Sequence, residues 1–176
     1  MKFAIIAAAD TKMGIGFKNR LPWKLKGDLQ YFSAVTTLAQ DGKQNAVIMG
    51  RKTWESLPKA HQPLAGRLNV VLSRGAMNLP PNVMLASALD SALNQLEQRR
   101  DVDKVFVIGG ASIYAQAINS PDCEKIYLTQ VQGEFNCDAF FPLIPESVFK
   151  KIAVSDAREE NGIRYHFVVY NRVSPQ

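Results

Sequence analysis

The chain has 176 residues, 47% of them hydrophobic and 21% charged, and its 21 basic against 16 acidic residues leave a net charge of +5. A chain of this length suits one domain that buries roughly 70% of its unfolded surface, and its apolar fraction excludes a disordered polypeptide. Two cysteines (Cys123, Cys137) and two histidines (His61, His166) show no zinc-ligand spacing and no nucleophile–histidine pair, so no metal site and no disulfide framework are expected.

Lys2 to Ala9 ends like a secretion signal in Ala-x-Ala, but Asp10 cuts its apolar run short. That run falls far below the ~20 residues of a membrane span, so Phe3–Ala9 is predicted to be a buried first strand. Free thiols and the lack of an address segment point to a cytoplasmic protein. Gly14-Ile15-Gly16-Phe17-Lys18-Asn19 lacks the third glycine of a dinucleotide fingerprint and leads into Leu21-Pro22-Trp23 instead of a helix. It is read as a mobile loop covering a site. Leu25, Leu29, Phe32 and Val35 then recur at helical spacing, with Asp28 on the same face.

Further buried strands are predicted at Ala46–Met49, Leu68–Leu72, Val83–Ala86, Val105–Ile108 and Ile126–Val131, because short continuous apolar runs suit strands covered on both faces. A short helix is expected around Trp54-Glu55-Ser56. Ser87 is predicted to cap a helix with Asp90 three residues on and Leu89, Leu93 and Leu96 inward. Another helix follows Gly110, burying Ile113, Ala117 and Ile118. Near the end, Phe149–Val154 and Ile163–Tyr170 flank Asn161-Gly162, whose residues suit the positive φ angles of a tight hairpin turn. The expected fold is α/β: one domain, residues 1–176, with a mostly parallel sheet, flanking helices and an antiparallel carboxyl-terminal hairpin.

Three predicted strand ends suit anions: Gly50-Arg51-Lys52-Thr53, Ser73-Arg74 and Gly109-Gly110-Ala111-Ser112. In open α/β sheets, ligands bind beyond the carboxyl ends of the strands, where helix-start N–H groups receive phosphate. Each turn alone also has an ordinary reading in turn geometry or solubility; together they point to a nucleotide. The cations are dispersed, Arg99-Arg100 being the densest pair, so no nucleic-acid groove and no membrane surface is expected. Asp28 has two readings. It is an amino-terminal helix residue, or an anionic anchor whose two oxygens meet two N–H donors of an amidine-like heterocycle.

Several ordered stretches together resemble the dihydrofolate reductase family. They are Ile5 through Ala7-Ala8, Gly14-Ile15-Gly16, Leu21-Pro22-Trp23, Asp28 and Phe32, then Val47 to Ser56 and Pro63-Leu64-Ala65-Gly66-Arg67. Val107-Ile108-Gly109-Gly110-Ala111-Ser112-Ile113-Tyr114, Tyr127-Leu128-Thr129 and Asp138 to Pro142 complete the order. The resemblance implies hydride transfer from NADPH to C6 of 7,8-dihydrofolate with protonation at N5. It implies that Asp28, Trp23 and Thr129 carry the chemistry, Asp28 binding the pterin, Thr129 bonding Asp28 and Trp23 holding a water. Ile6, Leu29, Phe32, Leu57 and Ile108 would line the substrate, and Arg67 would clamp its glutamate carboxylate. Ala8, Ile15, Gly16, Arg20, Gly50, Arg51, Lys52, Thr53, Leu72, Ser73, Arg74, Gly109, Gly110, Ala111, Ser112, Ile113 and Tyr114 would meet the cofactor, with a cis peptide at Gly109-Gly110.

Dihydrofolate and antifolate inhibitors are the implied partners, and the chain is expected to be a monomer unless cut from a fusion with thymidylate synthase. Cys137 stands where some bacterial members have glycine, and Pro58–Gln62 is longer than in the shortest of them. Asp28 matches bacterial, protozoan and plant members, whereas vertebrate ones use glutamate. The competing reading is a pyrimidine-nucleotide reductase of riboflavin synthesis, which shares the cofactor turns but has no need for Asp28 with Arg67.

Overall fold

Runs that are apolar on both faces place six strands in parallel at the centre of the sheet. The computed structural model describes residues 1–173. Its strands are β1 (Phe3–Ala9), β2 (Gly14–Gly16), β3 (Gln44–Gly50), β4 (Arg67–Leu72), β5 (Val83–Ala86), β6 (Val102–Val107), β7 (Cys123–Val131), β8 (Ala139–Phe140), β9 (Phe149–Val154), β10 (Arg158–Glu160) and β11 (Ile163–Arg172). The helices are α1 (Lys26–Thr37), α2 (Arg51–Ser56), α3 (Leu89–Glu97) and α4 (Ala111–Asn119). The main sheet runs β10-β11-β7-β1-β6-β3-β4-β5, parallel from β7 to β5, with β11 antiparallel to β7 and β9 also paired to β11. No helix among the described residues is long and apolar enough to cross a membrane.

Alternate residues of the central strands feed two cores. Ile5, Ile48, Val70 and Val107 pack with Leu93 and Leu96 of α3 and Ala117 and Ile118 of α4. Ile6, Val47, Met49, Val71 and Phe106 pack on the other face with Trp54 of α2, backed by Phe32 and Val35 of α1. Because β6 returns between β1 and β3, the strand order switches there. The carboxyl ends of β1, β3 and β6 open into one crevice, the place where α/β sheets hold ligands.

Four sequence expectations change. Gly14–Gly16 is not a free loop: as β2 it pairs with β8, Gly14 opposite Phe140 and Gly16 opposite Ala139. Ser87 does not cap α3; the cap position is Ala88, with no side-chain cap bond, so the serine sits one residue too early. Leu25 precedes α1 and Leu29 is 54% exposed, so the buried residues of α1 are Asp28 and Thr36. The Asn161-Gly162 turn, with φ of 53° and 74°, joins β10 to β11. Phe149–Val154 pairs instead with the far half of β11, Val168 to Arg172, after a break at residues 155–157.

Candidate active site

Asp28 lies in the first turn of α1, 8% exposed. The helix start has no side-chain cap of its own. Instead Glu160, at the end of β10, accepts from Lys26 N (2.7 Å) and Gly27 N (3.1 Å), and the Tyr165 hydroxyl donates to the same carboxylate (3.3 Å). This cross-chain cap seats the turn that carries Asp28. Gly27 has no room for a Cβ, which would strike the Tyr165 hydroxyl.

Thr129 of β7 donates to Asp28 Oδ1 at 2.6 Å, leaving Oδ2 without a protein partner among the described residues. Burial raises the Asp28 carboxyl above its ordinary value; the Thr129 bond opposes that, and the negative charge of Glu160 adds to it. Trp23 is 4% exposed and its Nε1–H is buried with no partner, a donor left for a small polar molecule. Of the three residues expected to carry the chemistry, Asp28 of α1 and Thr129 of β7 therefore meet directly, and Trp23 lies on the segment before α1.

Ile6, Phe32, Leu57 and Ile108 come together on one apolar cluster. Arg67, at the start of β4, is half-buried with its guanidinium 5.7 Å from the Phe32 ring. Its Nε donates to Ala65 O (2.9 Å) and its Nη1 to Thr36 Oγ1 (2.8 Å), while Thr36 donates to Phe32 O (2.7 Å). No carboxylate pairs with Arg67 among the described residues, so the rest of the fork is free for one. Two anchored donors orient a planar group that can meet a carboxylate bidentately.

On the other side of the crevice, the ends of β3 and β6 meet backbone to backbone. Gly50 N donates to Gly109 O (2.8 Å). Gly109 has φ of 117°, and a Cβ on it would press the Tyr114 ring at 3.2 Å. A Cβ on Gly50 would meet Ile113 and one on Gly110 would meet Thr53 Oγ1, each at 3.3 Å. The Gly109-Gly110 peptide is cis. The N–H groups of Gly109, Gly110, Ala111 and Ser112 have no partner among the described residues, and α4 has no side-chain cap. Successive free N–H groups at a helix start form an anion cradle.

Arg74 and Lys52 are exposed and unpaired among the described residues, while Arg51 pairs with Glu55 at 3.6 Å. The Ser73 hydroxyl closes a turn with Gly75 (3.0 Å). Ala8 and Ile15 are half-buried. Gly16 accepts from Asp138 N (2.9 Å), and Arg20 closes a backbone bridge with Phe17.

Two residues that the resemblance implies at the cofactor are buried. Tyr114 is 5% exposed and donates to Ile6 O (2.8 Å), so it braces the glycine turn from behind. Burial pushes its hydroxyl pKa far up. Leu72, 6% exposed, belongs to the core. Both end up inside because the glycine turn occupies the surface in front of Tyr114, while Leu72 closes a two-faced strand. Surface hollows of 530 Å³ (Arg51, Trp54, Lys59, Met77) and 720 Å³ (Phe17, Leu21, Pro22, Phe135) flank the crevice and contain neither Asp28 nor Arg67.

Glu160 was not legible as a site residue, since its partners lie 133 and 134 positions away. Its carboxyl is held below its ordinary 4.5 by the Gly27 and Lys26 N–H groups. Its stabilising effect is thus present above that value and is lost as pH falls through the lowered native one. Glu160→Gln is expected to lower the melting temperature at ~pH 7, with the difference shrinking in acid. Thermal melts of both proteins across pH check this; a constant difference at all pH values would refute it.

The family model for dihydrofolate reductase matches residues 2–172. A bifunctional dihydrofolate reductase-thymidylate synthase of Daucus carota is 46% identical over 178 residues, covering 97% of this chain and 34% of that protein. Dihydrofolate reductases of Heliothis virescens and Drosophila melanogaster are 41% and 38% identical, covering 98% and 99% of this chain and 98% and 100% of theirs. The chain thus spans about a third of the length of its plant relative and nearly all of the insect ones. With the strand order, the buried carboxylate and the paired glycine turns already in place, this match over nearly the whole chain places it in the dihydrofolate reductase family.

Proposed function

We propose that the chain reduces 7,8-dihydrofolate to 5,6,7,8-tetrahydrofolate with NADPH, acting as one cytoplasmic domain over residues 1–176, monomeric or as the reductase part of a fusion. The observation that carries this reading is the buried Asp28 with one oxygen bonded to Thr129 and the other open, set on the helix whose Phe32 and Thr36 hold Arg67 of β4. A pterin needs the first and a glutamate tail needs the second. A pyrimidine-nucleotide reductase needs neither.

The residues fit the cofactor. The cradle of free N–H groups at Gly109 to Ser112 suits a pyrophosphate, and Gly50 and Gly110 leave space that a Cβ would fill. Arg51, Lys52, Thr53, Ser73 and Arg74 would hold the ribose and phosphates, with Ala8, Ile15, Gly16, Arg20 and Ile113 nearer the ring. When bound, NADPH supplies the hydride.

The chain's own part is alignment and water exclusion. Asp28 accepts from the 2-amino group and N3 of the pterin, while the Thr129 hydroxyl fixes the carboxylate plane. Trp23 Nε1 holds a water beside Asp28, through which N5 gains its proton. Ile6, Leu29, Phe32, Leu57 and Ile108 wall the rings, and Arg67 pairs with the glutamate α-carboxylate. Antifolates with an amidine-like ring would use the same anchor. Mixing the protein with NADPH and dihydrofolate is expected to give the absorbance decrease of NADPH oxidation. A folded protein that is inert with dihydrofolate but oxidises NADPH with a pyrimidine nucleotide would overturn the reading.

Cofactor preference follows from the cations. Arg74 has no carboxylate partner among the described residues and adjoins Ser73 at the end of β4, a placement suited to the extra phosphate of NADPH. A charge-assisted hydrogen bond contributes about 1.5–3 kcal/mol, so Arg74→Ala is expected to cost roughly tenfold or more in NADPH affinity while leaving NADH unchanged. Titrating both cofactors checks it, and equal use of both by the parent protein would refute the assignment.

A further inference from the structure

Asp10 takes no part in the chemistry proposed above, yet it is one of the few buried charged side chains, 5% exposed. It lies just beyond β1 and has no cationic side chain within ion-pair distance among the described residues. Both of its oxygens are instead engaged by the chain itself. Oδ1 accepts from Lys12 N (2.9 Å) and Gly14 N (2.7 Å). Oδ2 accepts from Phe135 N (2.9 Å) and faces the Cys137 thiol at 3.9 Å. One carboxylate therefore ties the start of the 14–23 segment to the 133–138 segment.

The consequences reach both halves of the crevice. The 14–23 segment carries β2, and Asn19 crosses to α2, its Nδ2 donating to Lys52 O (2.8 Å). Farther along, Lys18 N donates to Asp138 Oδ2 (3.0 Å) and Phe141 N to Met13 O (2.7 Å). From the other side, the Phe135 ring meets Trp23 edge-on, centroids 5.2 Å apart. Asp10 thus stands at the common root of the segment that reaches the phosphate turn and of the contact that seats Trp23 beside the pterin anchor.

We propose that Asp10 is a positioning residue for the reaction: its carboxylate holds the 14–23 segment and Trp23 in register with the crevice, so that it governs the hydride-transfer step more than substrate affinity. The inference rests on the reductase reading for its kinetic half and on the hydrogen bonds alone for its structural half. The requirement is for a carboxylate. An asparagine has one acceptor oxygen and one NH₂, so in either orientation the NH₂ faces backbone donors on one side. Asp10→Asn should therefore release one of the two segments, although it is nearly the same size.

The test uses the full chain and two readouts. By NMR amide exchange, Asp10→Asn is expected to speed exchange at Gly14 and Phe135 by about tenfold or more, with Ile48 and Val107 of the core unchanged. In single turnovers with NADPH and dihydrofolate, hydride transfer should slow by about ten- to a hundredfold, while the KM for dihydrofolate stays within about twofold. Gly14→Ala strikes the same junction without altering Asp10. Its Cβ would stand 2.5 Å from Cys137 Sγ and 3.0 Å from Asp10 Oδ1, so it should loosen the same amides. Adding Cys137→Gly should restore part of the protection. Parental exchange at Gly14 and Phe135, or an equal rise at the core amides, would overturn the proposal, as would loosened amides with unchanged hydride transfer. A parent protein without reductase activity would sink the reductase reading and the kinetic half, while the exchange arm still decides whether Asp10 locks the two segments.

Discussion

Asp28→Asn is expected to lower dihydrofolate reduction by about 10²–10⁴-fold near neutral pH, the range in which positioned proton-transfer groups act. The same substitution is expected to raise the melting temperature. Both follow from one environment. Burial raises the Asp28 carboxyl above 3.8, the Thr129 bond only partly offsets this, and Glu160 adds a repelling charge. With a raised native pKa, the protonated form favours the fold; its contribution is whole below 3.8 and is lost as pH rises through the raised value. At neutral pH the parent therefore holds an ionised group that opposes folding, and asparagine removes it while still accepting from Thr129.

The stability gain should fade as pH falls toward 4, and activity of the variant should recover over the same direction as solvent protonates the substrate. Melting curves and pH–rate profiles of both proteins, with NADPH titrations alongside, check all three expectations. A near-parental rate at neutral pH would remove Asp28 from the mechanism. A lowered melting temperature would mean that the carboxylate is stabilising in its place. NADPH affinity should be unchanged, because the cradle belongs to the ends of β3 and β6.

Arg67→Lys is expected to weaken dihydrofolate binding by roughly ten- to a hundredfold, the size of one charge-assisted hydrogen bond. Burial pushes the guanidinium pKa down, yet an arginine starts so high that it stays charged. Two of its donors hold it to Ala65 O and Thr36 Oγ1, aiming the remainder. A lysine keeps the charge but loses the fork and both anchors. A dihydropterin lacking the glutamate should bind the variant about as well as the parent does. Inhibition or binding measurements with the two ligands separate clamp from scaffold; an equal loss for both would make Arg67 structural. Thr36→Val should reproduce a smaller version of the same selective loss, since it removes only the aim.

The parts of the site that could be seen in the sequence are those written in short-range pattern. Gly50 and Gly110 each precede a helix at the end of an apolar strand, and Asp28 stands out as a carboxylate in an apolar stretch. Leu29, which spacing puts on the apolar face of its helix, is 54% exposed. Spacing tells which residues share a helix face, but not whether that face meets core or solvent, and α1 starts one residue later than its apolar pattern does. Ser87 failed on the same one-residue margin.

By itself the sequence determined the parallel α/β sheet, the Asn161-Gly162 turn and the glycines at the ends of β3 and β6, because periodicity and glycine placement act within a few residues of chain. Only the tertiary structure decided that β6 lies between β1 and β3, that Glu160 caps a helix more than 130 residues upstream, and that Asp10 joins Gly14 to Phe135. Those contacts join groups with no shared local pattern. They exist because the strands and helices pack in one order, and a buried carboxylate then takes whichever N–H groups that packing brings within reach.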